Sequence, residues 1–164
     1  MPFTCALSGH RVLSRQFSKQ LLQQQLRALL EEGADTFLCG MALGFYLICA
    51  ETLTALRTQY RLRLVACIPC ADQPCRFTPA QKQAYLRALS ACDESVVLHE
   101  RYVDGCMFER NRYMVDHADM LYACLERPTG GTLYTVNYAK RKHKRIVFYG
   151  SEQLSMLQNL FPEG

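Results

Sequence analysis

Residues 105–132 read GCMFERNRYMVDHADMLYACLERPTGGT, and three changes of pattern within these 28 positions decide the fold. Met107, Asn111, Met114, Val115 and Ala118 recur at three- and four-residue spacing, which puts them on one face of a short helix. The apolar run Met120–Leu125 then reads as a strand, and Gly130–Gly131–Thr132 turns the chain into another helix. Asn111 is a polar residue in a core-facing stripe, with Arg110 at its edge. A buried amide or guanidinium without a partner costs roughly 1–3 kcal/mol or more. These two side chains therefore require partners, either protein groups that pin a loop or an anionic ligand.

The same alternation runs outward in both directions. Strand-like runs are expected at Thr4–Leu7, Thr36–Cys39, Leu62–Ile68, Ser95–Leu98, Met120–Leu125 and Arg145–Tyr149. Helices are expected over Ser18–Glu32, Phe45–Gln59, Pro79–Ser90 and Thr132–Lys142, with a terminal amphipathic helix at 152–161. Six strands alternating with helices predict an α/β, doubly wound, mostly parallel sheet covered on both faces. Pro69–Thr78 is the longest irregular segment and a candidate rim or lid. With 164 residues, no linker and no repeat, a single domain spanning 1–164 is expected.

Composition excludes several classes. A chain 49% hydrophobic and 21% charged is ordinary for a globular protein. It contains no apolar run near the roughly 20 residues that span a bilayer. No positive region precedes the apolar residues of MPFTCALSGHRV, so neither a signal peptide nor a membrane partner is expected, and the predicted location is cytoplasmic. Nine cysteines are an odd count, and Cys5, Cys39, Cys49, Cys67 and Cys124 sit in apolar runs, where reduced core thiols are the default. Cys67, Cys70 and Cys75 resemble half a metal site. No second knuckle follows, however, and His10, His99, His117 and His143 are dispersed, so no metal is expected. The net charge of +4 is concentrated in Lys140–Arg145, which reads as a solvated helix end. No aromatic interleaving accompanies it, which argues against nucleic acid as a partner.

Ligands of such folds sit beyond the carboxyl ends of the strands. Three turns lie there: Ser8–Gly9–His10–Arg11, Gly40–Met41–Ala42–Leu43–Gly44 and Gly130–Gly131–Thr132. Glycine lets backbone amides approach a ligand, and a helix N-terminus offers N–H groups to phosphate. With Arg11 and Arg110 in matching positions, an anionic ligand is expected. The spacing is neither G-x-G-x-x-G nor a Walker A loop, and there is no G-x-S-x-G elbow. Glu51 is the one acidic residue between Leu43 and Leu56, facing either the pocket or solvent.

Taken together, Ser8-Gly-His-Arg11, Gly40-Met-Ala-Leu-Gly44 with Ala50-Glu51, Gly105-Cys-Met107, Arg110-Asn-Arg-Tyr-Met-Val-Asp-His117 and Gly130-Gly-Thr-x-Tyr-Thr135 resemble the YpsA-like family of the SLOG superfamily. That superfamily also holds the DprA-type DNA-processing proteins and the Lonely-guy phosphoribohydrolases. The resemblance runs collinearly to about Tyr149. It implies a Rossmann-like fold and a pocket for a nucleotide or nucleotide-derived ligand, with ADP-ribose and NAD-related molecules among the candidates. Met107-Phe-Glu-Arg110-Asn111 is similar to the M-H-x-R-K segment of the Lonely-guy enzymes, whose arginine serves catalysis. The Gly130-Gly-Thr132 turn is similar to their phosphate-binding segment. Those enzymes follow the turn with glutamates, whereas Leu133-Tyr-Thr-Val-Asn137 carries none.

Three readings follow. In the leading one, the chain binds or senses a nucleotide in a regulatory role without a required cofactor. Ser8, Gly9, Arg11, Gly40, Met41, Ala42, Gly44, Arg110, Asn111, Gly130, Gly131 and Thr132 would form the site. In the second it is a nucleoside-monophosphate phosphoribohydrolase with Glu51 as acid/base and Arg110 as charge stabiliser. In the third it is an interaction module that meets another protein or a second copy of itself through Tyr102, Tyr113, Tyr138 and the terminal Leu154, Leu157, Leu160 and Phe161.

Overall fold

The structure is a computed structural model that describes residues 1–151. The strands are β1 (Phe3–Gly9), β2 (Ala34–Cys39), β3 (Arg63–Ile68), β4 (Glu94–Val97), β5 (Met120–Cys124) and β6 (Arg145–Phe148). The helices are α1 (Lys19–Glu32), α2 (Phe45–Leu56), α3 (Pro79–Ala91), α4 (Cys106–Asp116) and α5 (Gly130–Arg141), with a short 3-10 turn at Gln73–Arg76. The helix expected at 152–161 lies outside the described residues.

Local chemistry explains the boundaries. The Ser18 hydroxyl accepts a hydrogen bond from the Leu21 N–H and opens α1, and Gly33 closes it with φ 125°. Thr78 and Gln81 satisfy each other's backbone N–H groups in a capping box ahead of α3, with Pro79 at its first position. β5 is buried at all five positions, as expected of a strand covered on both faces.

All five strand pairings are parallel, in the order β4-β3-β2-β1-β5-β6. α1, α2 and α3 pack side by side on one face, and α4 and α5 pack together on the other. The chain steps outward from β1 to β4, then crosses back through α4 to place β5 on the far side of β1. That reversal creates a crevice at the carboxyl ends of β1 and β5, the position where ligands bind in open parallel sheets. The core beneath it includes Phe37, Phe45, Met114 and Tyr122, all fully buried. The Tyr122 hydroxyl donates to Gln25 Oε1, which also accepts the Gly150 N–H at 3.1 Å. Among the described residues no helix is long and apolar enough to cross a membrane.

Among the boundaries that differ from the sequence expectation, two bear on the cleft. Ser8 and Gly9 belong to β1 rather than to a turn, because β1 runs its full length beside β5, with Gly9 opposite Cys124. Gly130 and Gly131 are the first turn of α5, with Thr129 as its N-cap, rather than a turn ahead of it.

Candidate ligand-binding site

A cleft of about 1130 Å³ opens at the carboxyl edge of the sheet, slightly above the usual range of small-molecule sites. All five loops at that edge contribute. β1 supplies Ser8 through Val12, the β2–α2 loop supplies Ala42 and Leu43, and α2 adds Tyr46. The β3–α3 connection supplies Cys70, Asp72, Gln73 and Arg76, and the start of α4 supplies Met107, Phe108, Arg110 and Asn111. Arg127 and Thr129–Thr132 close the wall at α5.

Arg110 is at the centre of the site. It is only 4% exposed, yet among the described residues no carboxylate pairs with it. Its Nη1 donates to the Gly40 carbonyl, its Nε donates to Asn111 Oδ1 at 2.8 Å, and Nη2 meets only the Met107 sulfur at 3.9 Å. The guanidinium carbon lies 5.3 Å from the centre of the Tyr46 ring. Neutral partners hold the side chain in place and leave its charge uncompensated. Burial pushes the Tyr46 hydroxyl's pKa up, with the Arg110 charge opposing that shift. Asn111, 5% exposed, thus braces Arg110 with its carbonyl, while its amide nitrogen lies near the first turn of α5.

That first turn is a second element suited to an anion. The Thr129 side chain makes no capping hydrogen bond and no acidic residue lies in the turn, so no side chain caps its N–H groups, and Thr129–Thr132 line the cleft. Across the whole lining, Arg11, Arg76, Arg110 and Arg127 face a single carboxylate, Asp72. The electrostatic balance therefore favours an anion.

His10 ties the two sides together. Its Nε2 accepts the backbone N–H groups of Glu126 at 3.1 Å and Arg127 at 3.3 Å, which leaves the ring proton on Nδ1. Burial, reinforced by the Arg127 charge, lowers its pKa below the usual 6.5 and holds it neutral. On the opposite wall, Asp72 Oδ1 and Gln73 Oε1 are fully buried acceptors, with no hydrogen-bond partner among the described residues. The Gln73 amide nitrogen is 3.5 Å from the Gly40 carbonyl, which already accepts from Arg110.

Of the residues expected from sequence, Ser8, Gly9, Arg11, Ala42, Arg110, Asn111, Gly130, Gly131 and Thr132 line the cleft. Gly40, Met41 and Gly44 lie behind it. A Cβ on Gly40 would stand 2.7 Å from Arg110 Nη1, so this glycine makes room for the guanidinium rather than for a ligand. Gly44, with φ 83°, packs against the Arg11 and His10 carbonyls, and His10 O also takes the first N–H of α2 at 3.1 Å. Glu51 is exposed on α2 and takes no part in the lining. His10 and Gln73 lie within the Ser8–Arg11 turn and the Pro69–Thr78 rim expected from sequence, but neither they nor Tyr46 and Phe108 were singled out as site residues, because single side chains in loops and at helix starts carry no periodic signal. Tyr102, expected at a protein interface, lies on the cleft rim. Tyr113 stacks on His117 at 4.0 Å and the Tyr138 hydroxyl donates to Asp116 at 2.8 Å, so both rings are engaged within the chain. Leu154, Leu157, Leu160 and Phe161 lie outside the described residues. Cys67 and Cys70 are buried and Cys75 is exposed. Among the described residues no group of three His, Cys, Asp or Glu side chains is arranged to hold a metal.

An arginine-lined cleft at the reversal point of an all-parallel sheet defines the class: a Rossmann-like α/β protein with its site at the strand carboxyl ends. The chain belongs to the YspA SLOG family, whose model matches residues 11–158. A UPF0398 protein of Bacillus licheniformis is 27% identical over 151 residues, covering 90% of this chain and 82% of that one. A UPF0398 protein of Bacillus pumilus is 30% identical over 135 residues, covering 80% and 72%. Among solved structures, DNA processing protein A of Streptococcus pneumoniae superposes with a TM-score of 0.68 at 18% identity, over 99% of this chain. The Helicobacter pylori DNA processing protein A, solved for its single-stranded DNA binding mode, gives 0.63 at 22% over 90%. This chain spans only 57% and 65% of those two proteins' lengths. A molybdenum cofactor binding protein of Rippkaea orientalis gives 0.57 at 18%, covering 98% of this chain and 85% of that one.

The Helicobacter pylori protein overturns one expectation. Nucleic acid was set aside because Lys140–Arg145 lacks interleaved aromatics, yet a protein of this fold is described as binding single-stranded DNA. The basic run is remote from the cleft. It lies at the far end of α5, roughly 18 Å along a 12-residue helix from the cleft, and Arg141 and Lys142 there cover the Tyr138 ring.

Proposed function

We propose that this protein binds the phosphate of a nucleotide or nucleotide-derived ligand in the cleft and acts as a regulatory binding or sensing module of the cytoplasm. The observation that carries the reading is Arg110: a guanidinium buried to 4% exposure, braced by neutral groups and with no acidic partner among the described residues. An anion reaching it would be the missing counter-charge, and the open first turn of α5 would add backbone N–H donors. Nine unpaired cysteines fit a reducing compartment.

The hydrolase alternative loses support from geometry. Cleavage of an N-glycosidic bond calls for a carboxylate near the reacting centre, and Glu51 points to solvent outside the cleft. A second reading, in which the phosphate belongs to single-stranded nucleic acid, is supported by the exposed arginines Arg11, Arg76 and Arg127 on the same cleft and by the single-stranded DNA binding described for the Helicobacter pylori protein of similar fold.

A thermal-shift screen with ADP-ribose, NAD, AMP, ADP, cyclic nucleotides and a short single-stranded oligonucleotide tests both. A ligand at 100 times its Kd stabilises by roughly 2.7 kcal/mol, enough for a clear shift. No shift with any member at millimolar concentration sinks the proposal. A response to the oligonucleotide alone, falling steeply with salt, selects the second reading.

A further inference from the structure

We infer that Tyr102 and Phe108 form a stacking platform for an aromatic base at the mouth of the cleft, so that the ligand is a base-bearing nucleotide rather than a sugar phosphate or inorganic anion. The inference rests on the proposed anion site and names the other end of the same ligand.

Apolar side chains scattered singly over a surface need no explanation, but these two are not scattered. Among the described residues they are the only aromatic side chains that are exposed, at 57% and 42%, and both line the arginine-lined cleft. Every other Tyr and Phe described is buried or half-buried. Phe108 is held in place, with its ring centre 4.5 Å from that of Tyr134 on α5, whose hydroxyl accepts from Arg112 at 2.8 Å. Phe108 is therefore anchored to α5, the helix whose first turn would hold the phosphate. Tyr102, at the entrance to α4, makes no ring contact or side-chain hydrogen bond among the described residues. A flat ring exposed next to a cationic site is what a base stacks on, and the face serves any base because every base has a π surface.

The absence of tryptophan from the chain gives a direct readout. Tyr102→Trp and Phe108→Trp each introduce a single indole at the platform. AMP should quench its fluorescence saturably, while ribose 5-phosphate, which reaches Arg110 without a base, should leave it unchanged. By calorimetry, Tyr102→Ser and Phe108→Ser should each weaken AMP by about tenfold and ribose 5-phosphate by less than twofold. Tyr102→Phe and Phe108→Tyr, which keep a ring, should restore AMP binding. Equal affinity for AMP and ribose 5-phosphate, with both lost in Arg110→Ala and neither changed by the serine variants, overturns the platform and leaves the anion site standing. No binding of either probe overturns both. A single-stranded oligodeoxyadenylate identifies the source of the base. Quenching by it far below the AMP concentration, lost at high salt, assigns the base to a strand, and quenching by AMP at equal or lower concentration assigns it to a free nucleotide.

Discussion

Replacing Gly40 with alanine should disable the site without touching a residue that meets the ligand. A Cβ at that position would lie 2.7 Å from Arg110 Nη1 and 2.8 Å from Cζ. The guanidinium is the free end of a long side chain, so steric repulsion is relieved cheaply by moving it. The cost lies in what the movement breaks: the charged hydrogen bond to the Gly40 carbonyl, the 2.8 Å bond to Asn111 and the stack on Tyr46. A hydrogen bond to a charged group contributes about 1.5–3 kcal/mol. For a protein of this size that loss lowers Tm by about 3–12 °C. The assay is a double-mutant cycle by urea denaturation, pairing Gly40→Ala with Arg110→Ala. With no guanidinium to displace, alanine at 40 should cost far less, giving a coupling of about 1 kcal/mol or more. Equal costs in the two backgrounds would refute the account of why this position is glycine.

Other consequences are equally concrete. Because burial lowers the His10 pKa, the folded state binds this proton less readily than the unfolded chain. Its stability contribution is complete above about pH 6.5 and is lost as pH falls below that toward the lowered value. Melting temperature should therefore drop between pH 7.5 and 5.5, and His10→Gln, which keeps an acceptor without a titrating ring, should flatten that drop; identical profiles would contradict the assignment. Gln25→Leu should cost about 1–3 kcal/mol for each of the two donors it strands, the Tyr122 hydroxyl and the Gly150 N–H, and an unchanged urea midpoint would count against this buried pair. Burial, with Asp72 and Cys106 adding to it, pushes the Cys70 thiol up to about 12, while Cys75 is exposed. Iodoacetamide at pH 7.5 should modify Cys75 first in the native protein, as read by peptide mass spectrometry, and rapid labelling of Cys70 would overturn this.

The elements were legible because their signals are local. The Ser18 cap, Pro79 and the apolar run Met120–Cys124 each announce themselves within a few residues. Strand order was not legible, since the return of β5 to the side of β1 depends on α4 crossing the sheet, which no local pattern encodes. Arg110 and Asn111 stood out as polar groups in a buried stripe, and the two alternatives set for them, bracing a loop or meeting an anion, turn out to be compatible. Nη1 and Nε brace, and the charge is left over. Glu51 was ambiguous because α2 is apolar on nearly every side, so periodicity gave no bearing on which way its one carboxylate points. Gly40 and Gly44 were read as ligand-facing when they face Arg110 and the β1–α1 loop, because a glycine in sequence records a close approach without naming what approaches. The Ser8–Arg11 turn and the Pro69–Thr78 rim were legible, but the roles of His10 and Gln73 within them were not, since those arise only when three loops meet.

The central claim is that Arg110 is the counter-charge for a phosphate. Isothermal titration of AMP and ADP-ribose into the unmodified protein and into Arg110→Ala tests it, with circular dichroism confirming that both are folded. Arg110→Ala should weaken binding of whichever ligand the unmodified protein takes by about 1.5–3 kcal/mol, which is tenfold to just over a hundredfold. Lower stability with affinity unchanged would show that Arg110 only pins Gly40 and would contradict the account.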